Sequence, residues 1–383
     1  MNTSKKHIYL DYNASAPLHP DAWAVMEALL TTPENGAHNA SAIHHFGREG
    51  QKTIEAARKH IADMVGIPSN QIIFNSGATE GNNTVLQHFA HAYPDEQIII
   101  SAIEHPSITD ALPNFPNLKT APVTHDGLIC LKSLENLLKT KTSLVSCMHV
   151  NNETGSIQNV SELSGVAHKY GALFHCDATQ SAGRIPVHAT QSGIDFLTLS
   201  SHKIGGPQGV GALALGICGQ TPTLLLGGGQ EKYARAGTHN VAGIAGFGAA
   251  ANAATRNLDL YRKTLEQLRN KLETQLKHIS PNIIIHGEQS QRVANTCFFS
   301  LPKTKSQNLL IALDLEGISV SNGSACSSGT VKASKILLAM GQDEDVANSA
   351  LRISMGWATK ESDIDSFLSA WQKIIQRIQP CQK

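Results

Sequence analysis

Lys203 closes the run Leu199-Ser200-Ser201-His202-Lys203, directly before the turn Ile204-Gly205-Gly206-Pro207. Upstream, Asp177 ends His175-Cys176-Asp177 and is followed by Ala178-Thr179-Gln180. A lysine at the end of a strand can condense with a carbonyl, and an acid ending the preceding strand can face a protonated ring nitrogen. That pairing is the recurring design of Schiff-base chemistry on a pyridine cofactor such as pyridoxal 5′-phosphate (PLP). Taken alone, a lysine is a solvated charge and an aspartate a helix cap; the surrounding residues decide.

Asn75-Ser76-Gly77-Ala78-Thr79 reads as a strand–turn–helix junction. The free N–H groups at Ala78 and Thr79 and the Thr79 hydroxyl suit a phosphate, though an ordinary helix cap reads the same way. No Walker lysine and no intact dinucleotide fingerprint follows a strand, which argues against nucleotide binding. His105 follows a strand-like run and could stack on a ring and handle protons near neutral pH; the alternative is a plain loop histidine. Asn152, in Val150-Asn151-Asn152-Glu153-Thr154-Gly155, could bind substrate or cofactor oxygens or form a local turn. Gln180 offers an amide donor to a phenolic oxygen, while Ser200 and His202 offer phosphate donors beside Lys203. Cys326 lies in Asn322-Gly323-Ser324-Ala325-Cys326-Ser327-Ser328-Gly329, a small-residue stretch that predicts an exposed, mobile thiol suited to carrying sulfur. By contrast Cys147, Cys176 and Cys297 sit in apolar, strand-like runs and read as buried. Arg352, in Ala350-Leu351-Arg352-Ile353-Ser354, could clamp a carboxylate bidentately or hold a structural salt bridge.

These residues must be positioned by a fold. Runs at 72–74, 97–100, 143–146, 172–175 and 196–199 read as buried strands, separated by helical patterns at 79–91, 131–138 and 160–170. Such alternation predicts an α/β fold with a mainly parallel sheet covered on both faces, and ligands beyond the carboxyl ends of its strands. From about Val241 the texture changes to a long helix with leucines at 265, 268, 272 and 276, then short strands and a terminal helix. The expected division is a large domain over residues 15–255 and a smaller α+β domain from residues 1–14 and 256–383. At 383 residues the chain is long for one domain, and Lys+Arg and Asp+Glu both total 31. The balanced charge gives no reason to expect nucleic acid or a membrane surface as partner. Seven cysteines without a C-x-x-C pair indicate neither a disulfide framework nor a zinc ribbon. The polar start shows no signal-peptide core and no run of membrane-spanning length occurs, so the expected location is cytoplasmic.

Taken together the chain resembles the PLP-dependent cysteine desulfurases of the NifS/IscS type, within the fold-type I class V aminotransferase superfamily. The resemblance runs nearly end to end. It is carried by Tyr9-Leu10-Asp11-Tyr12-Asn13-Ala14, Ser76-Gly77-Ala78-Thr79-Glu80-Gly81-Asn82-Asn83, Glu104-His105 and Asn151-Asn152-Glu153-Thr154-Gly155. It continues through Asp177-Ala178-Thr179-Gln180, Ser200-Ser201-His202-Lys203, Gly227-Gly228-Gly229-Gln230-Glu231, Arg235-Ala236-Gly237-Thr238, Ser324-Ala325-Cys326 and Arg352-Ile353-Ser354. The resemblance implies that Lys203 forms the Schiff base, Asp177 pairs with the pyridinium, His105 stacks on the ring and Gln180 reaches its phenolate. Thr79, Ser200 and His202 would hold phosphate, with Thr238 reaching across a homodimer. Asn152 and Arg352 would bind the substrate carboxylate and Cys326 would take the sulfur of L-cysteine, releasing L-alanine. The persulfide would pass to an acceptor protein such as an iron–sulfur scaffold or a tRNA-thiolation carrier. No resident metal is implied, though Cys326 could share an iron–sulfur cluster in transfer.

Two departures stand out. The family's Asn-Pro-Ser-Ser tract reads Asn39-Ala40-Ser41-Ala42, and the chain ends soon after the helix bearing Trp371. The longer tail that some housekeeping relatives use to dock a scaffold is missing, which leaves the acceptor open. Three other readings stay in play: a class V transaminase, a selenocysteine lyase, and a PLP-less scaffold for sulfur-transfer partners.

Overall fold

The computed structural model describes residues 7–31, 38–216, 218–323 and 332–378. Twelve strands are present among them: β1 (Ile8–Tyr9), β2 (Ile72–Asn75), β3 (Gln97–Ser101), β4 (Leu118–Ala121), β5 (Thr142–Met148), β6 (Leu173–Asp177), β7 (Phe196–Ser200), β8 (Gly211–Leu215), β9 (Ile284–Ile285), β10 (Thr296–Ser300), β11 (Ile318–Ser319) and β12 (Ala350–Ser354).

β2 to β8 form one sheet in the order β2-β8-β7-β6-β5-β3-β4. β7, β6, β5, β3 and β4 are mutually parallel, and β8 is antiparallel to both β7 and β2. β8 alone therefore runs against the other six, and β2 delivers its carboxyl end to the same edge as β7. Every residue of β5 and β7 is buried, as continuous apolar runs covered on both faces require. The chain passes from β3 outward to β4, then returns to the other side of β3 at β5. The strand order thus reverses between β3 and β5, the place where doubly wound sheets open a crevice.

One face of the sheet is covered by helices His45–Val65, Leu131–Leu138, Val160–Lys169 and Val241–Arg256 through a single apolar cluster. In the first of these, Ile54, Ala57, Ile61, Ala62 and Val65 recur at helical spacing on the buried side, and Gly66 closes it at φ 69°. The last of them packs so closely that a Cβ on Gly248 would lie 2.5 Å from the Ala57 Cα, so only glycine fits there. The helix Ala78–Ala92 covers the opposite face through Val85, Leu86 and Phe89.

A separate cluster gathers Ile8 and Leu10 with Leu265, Leu268, Leu272, Leu276, Phe299 and Trp371. Here β12-β10-β9 form an antiparallel sheet and β1 pairs in parallel with β11. The leucine stripe lies on the helix Leu258–Ile279, which is distinct from Val241–Arg256 rather than its continuation. The break falls at Asn257, whose side chain and backbone N–H both donate back to the Ala253 carbonyl and end the first helix. A smaller cluster of Ile103, Met148, Phe298, Leu337 and Met340 joins the carboxyl edge of the large sheet to β10. No described helix is long and apolar enough to cross a membrane.

Candidate active site

Asp177 ends β6, 5 % exposed, with both carboxylate oxygens held. Oδ1 accepts from the Thr179 N–H at 2.9 Å and Oδ2 from Asn82 Nδ2 at 2.9 Å. The same Asn82 amide donates to Ser107 Oγ at 2.8 Å, and that hydroxyl lies 2.9 Å from His105 Nδ1. Ser107 N–H also donates to Nδ1 at 3.1 Å, so a neutral ring carries its proton on Nε2. Burial pushes the His105 pKa below its ordinary value, the Lys203 charge adds to this and Asp177 opposes it. A chain of short bonds thus links the ends of β3 and β6 through the helix Ala78–Ala92. Asn83 extends it, donating to the Thr79 carbonyl at 2.9 Å and the Ser107 carbonyl at 3.2 Å.

Lys203 ends the single turn that follows Ser200, the buried last residue of β7. Its Nζ donates to the carbonyls of Asn13 (2.8 Å) and Ala14 (2.7 Å), both on the N-terminal segment. Burial, then the charges of Arg184 and Arg352, lower its pKa to about 7. An amine that is unprotonated near neutrality can act as a nucleophile. His202 lies 3.1 Å through Nδ1 from Ser15 Oγ, and burial with the Lys203 and Arg184 charges lowers its pKa to about 4. It is therefore a neutral hydrogen-bonding ring at physiological pH.

Gln180 donates through Nε2 to the Asn13 carbonyl at 3.0 Å and accepts from Arg184. Arg352, on β12, donates to Asp11 Oδ1 (2.7 Å) and to the Asn152 carbonyl (2.8 Å), while its buried Nε has no hydrogen-bond partner among the described residues. The guanidinium already grips one carboxylate and has a donor to spare. The Arg352 charge also reaches Lys203, which places both on one crevice.

At the start of the helix Ala78–Ala92 the N-cap Gly77 has no side chain to cap the backbone, and a Cβ on it (φ 149°) would meet nothing within 4 Å among the described residues. An adjoining cleft is lined by Asn75, Ser76, Gly209, Thr238 and His239. Its far wall is fixed by Glu231, which accepts from both Arg58 Nη atoms (2.7 and 2.8 Å), Phe74 N–H (2.9 Å) and His239 (2.7 Å). Burial raises that carboxyl, but the bonds from Arg58 and His239 prevail and hold it at about 2.

Lys203, Asp177, His105, Gln180, Asn152 and Arg352 converge on the crevice at the carboxyl edge of the sheet. Ala78 and Thr79 open the helix Ala78–Ala92, Ser200 ends β7 just before His202 and Lys203, and Thr238 lines the adjoining cleft. Cys326 lies outside the described residues. Five further groups belong to this arrangement that sequence reasoning assigned no role: Asp11, Asn13, Asn82, Glu104 and Arg184. Arg184 lies four residues after Gln180, a spacing that brings side chains together across a turn, and that signal was available. Asn13 carried no local signal, since it acts on residues far along the chain. Its carbonyl accepts from Gln180 and Lys203, and its Oδ1 accepts from Arg184 and Asn295.

The aminotransferase class-V family profile matches residues 8–367. The chain belongs to that family, among its cysteine desulfurases. It is 37 % identical to the cysteine desulfurase IscS of Dictyoglomus turgidum, over 98 % of this chain and 96 % of that one. A NifS-like protein of Rickettsia africae superposes with a TM-score of 0.89 at 38 % identity, covering 97 % of this chain and 99 % of the other. SspA, solved in complex with cysteine, superposes with a TM-score of 0.79 at 26 % identity, covering 91 % and 99 %. The mainly parallel sheet expected from the strand–helix alternation, and the fold-type I architecture that the resemblance implies, are the ones observed.

Proposed function

We propose that this desulfurase converts L-cysteine to L-alanine in the crevice around Lys203 and leaves the sulfur as a persulfide on Cys326. The observation that carries the reading is Lys203 itself, an amine with its pKa lowered to about 7 beside the buried Asp177 carboxylate. The residues fit PLP. The uncapped helix start at Ala78 and Thr79, with open space at Gly77, suits its phosphate. Ser200 and His202 would add donors from the same subunit, and Thr238 would reach the phosphate of a partner subunit in a homodimer. Bound in the crevice, PLP would supply an electron sink that weakens the bonds at the substrate α-carbon.

The chain's own groups do the rest. Lys203 holds the cofactor and exchanges protons at the substrate α-carbon. Asp177, oriented by Asn82 and Thr179, keeps a ring nitrogen protonated. With PLP bound, His105 would stack on the ring and present Nε2–H, and Gln180 would face the phenolic oxygen. Arg352 and Asn152 fix the substrate carboxylate. The Cys326 thiolate bonds to the substrate sulfur while the carbon–sulfur bond breaks; the carbon keeps that electron pair and takes up a proton, giving alanine. An iron–sulfur scaffold or a tRNA-thiolation carrier would then accept the persulfide sulfur. The test is Lys203→Ala: turnover of L-cysteine and the cofactor's visible absorbance should both vanish. Full activity in that variant would contradict the reading.

A further inference from the structure

The loop after β5 is locked by Asn151. Asn151 Oδ1 accepts from the backbone N–H groups of Glu153 and Thr154, both at 2.9 Å. This turns the Glu153 side chain inward, where it is 4 % exposed. The carboxylate accepts from Ser334 Oγ through Oε2. It also faces Gly323, where a Cβ would stand 3.0 Å from its Cδ and 3.1 Å from Oε2. One buried carboxylate therefore touches the chain on both sides of residues 324–331, the stretch that carries Cys326.

Each flank is itself fixed. The Gly323 N–H donates to Ser321 Oγ at 3.1 Å. Ser334 Oγ accepts from the Leu337 N–H at 3.1 Å and caps the helix Lys335–Ala339, whose Ile336 and Leu337 pack on Ile103 and Met148. The same loop supplies the Asn152 carbonyl that holds Arg352. On one side, then, the loop positions the group that would grip the substrate carboxylate. On the other it holds the roots of the segment bearing the sulfur acceptor.

We infer that Glu153 is a positioning residue for sulfur transfer: it ties Gly323 and Ser334, which flank residues 324–331 on either side, to the loop that holds Arg352. The inference rests on the desulfurase reading above. Burial raises the Glu153 carboxyl to about 7, with Ser334 and Arg352 opposing it, so a neutral side chain is compatible with the contact. Glutamine should therefore replace it, because its carbonyl can still accept from Ser334.

The test uses the holoenzyme and L-cysteine, following persulfide on Cys326 by thiol alkylation and mass spectrometry across substrate concentrations. Glu153→Ala should slow persulfide formation about tenfold or more, the scale of one lost hydrogen bond to a charged group, with half-saturation by L-cysteine unchanged. Glu153→Gln should restore a rate within about twofold of wild type, since only the acceptor is needed. Amide exchange should quicken at residues 321–323 and 332–337 in Glu153→Ala, and stay unchanged in β6 and β7. A wild-type persulfide rate in Glu153→Ala would overturn the inference, as would a loss appearing wholly as weaker half-saturation. Should Glu153→Ala not fold, Ser334→Ala removes the donor instead; it must show the same deficit, and a wild-type rate there would equally overturn the inference. Absence of persulfide in the wild type would overturn the desulfurase reading and this inference with it.

Discussion

Burial and the neighbouring arginines act in the same direction on Lys203 and outweigh Asp11 and Asp177. Its amine is removed from water, and Arg184 and Arg352 add positive potential, while its protons are offered to two backbone carbonyls. The result is a nucleophile available near neutral pH without a dedicated base. Arg352 carries a second consequence of side-chain geometry. Its fork holds Asp11 and the Asn152 carbonyl together, and a lysine has no such planar pair of donors. Arg352→Lys should raise the half-saturating concentration of L-cysteine and lower kcat/KM by roughly ten- to a hundredfold, the cost of one or two charge-assisted bonds. Steady-state kinetics check this, and an unchanged kcat/KM would remove Arg352 from substrate binding. At this scale the sequence discloses the groups whose types announce chemistry: Lys203, Asp177, His105 and Arg352. It hides Asn13 and Asn82, because an amide acquires its importance only from the partners that folding brings to it.

Strands β3, β5, β6 and β7 deliver Glu104, Asn152, Asp177 and Lys203 to one edge because they run in parallel, and each following loop supplies one or two polar groups. Glu104 joins two of these elements, accepting from Ser101 at the end of β3 and from the Met148 N–H at the end of β5 (2.8 Å). Burial raises its carboxyl from 4.5 to about 8, with the Asp177 charge adding to the effect. The folded protein therefore holds a proton there that the unfolded chain releases, so this group costs stability progressively as pH rises from 4.5 to 8. Glu104→Gln keeps the one oxygen that accepts both bonds, without the charge. Its melting temperature should gain on wild type as pH rises through that window; a constant offset from pH 5 to 8 would contradict the assignment. The parallel strands are legible from sequence because burial on both faces demands unbroken Ile, Val, Leu and Phe runs. β8 is not: Gly211-Ala212-Leu213-Ala214-Leu215 has the composition of a helix, and only its place between β2 and β7 makes it a strand. The boundary at Asn257 is hidden for a similar reason, since the apolar pattern continues across a break made by one side chain's hydrogen bonds.

Across the whole molecule, two apolar clusters meet at the crevice, and residues 8–14 cross from one to the other. Ile8 and Leu10 sit in the cluster around Trp371, and Asn13 reaches Lys203, Gln180 and Arg184. Trp371 is fully buried, lies edge-on to Phe299 at 5.4 Å and donates from Nε1 to Ser280 Oγ at 3.1 Å. Trp371→Ala should cost about 3–5 kcal/mol by denaturant unfolding, the range for a large aromatic removed from a packed core. A loss near zero would mean that this cluster does not contribute to cooperative stability. The pairing of β1 with β11 was legible only as a strand-like Ile8-Tyr9-Leu10, since its partner lies some 310 residues further on. What joins these levels is the transfer of sulfur from substrate to Cys326, and its most direct test is alanine and persulfide formation from L-cysteine in wild type and Cys326→Ala. The account predicts stoichiometric alanine and a Cys326 persulfide in the wild type, and neither in the variant. Equal alanine production by both would contradict it, removing that thiol from the reaction and favouring a lyase or transaminase.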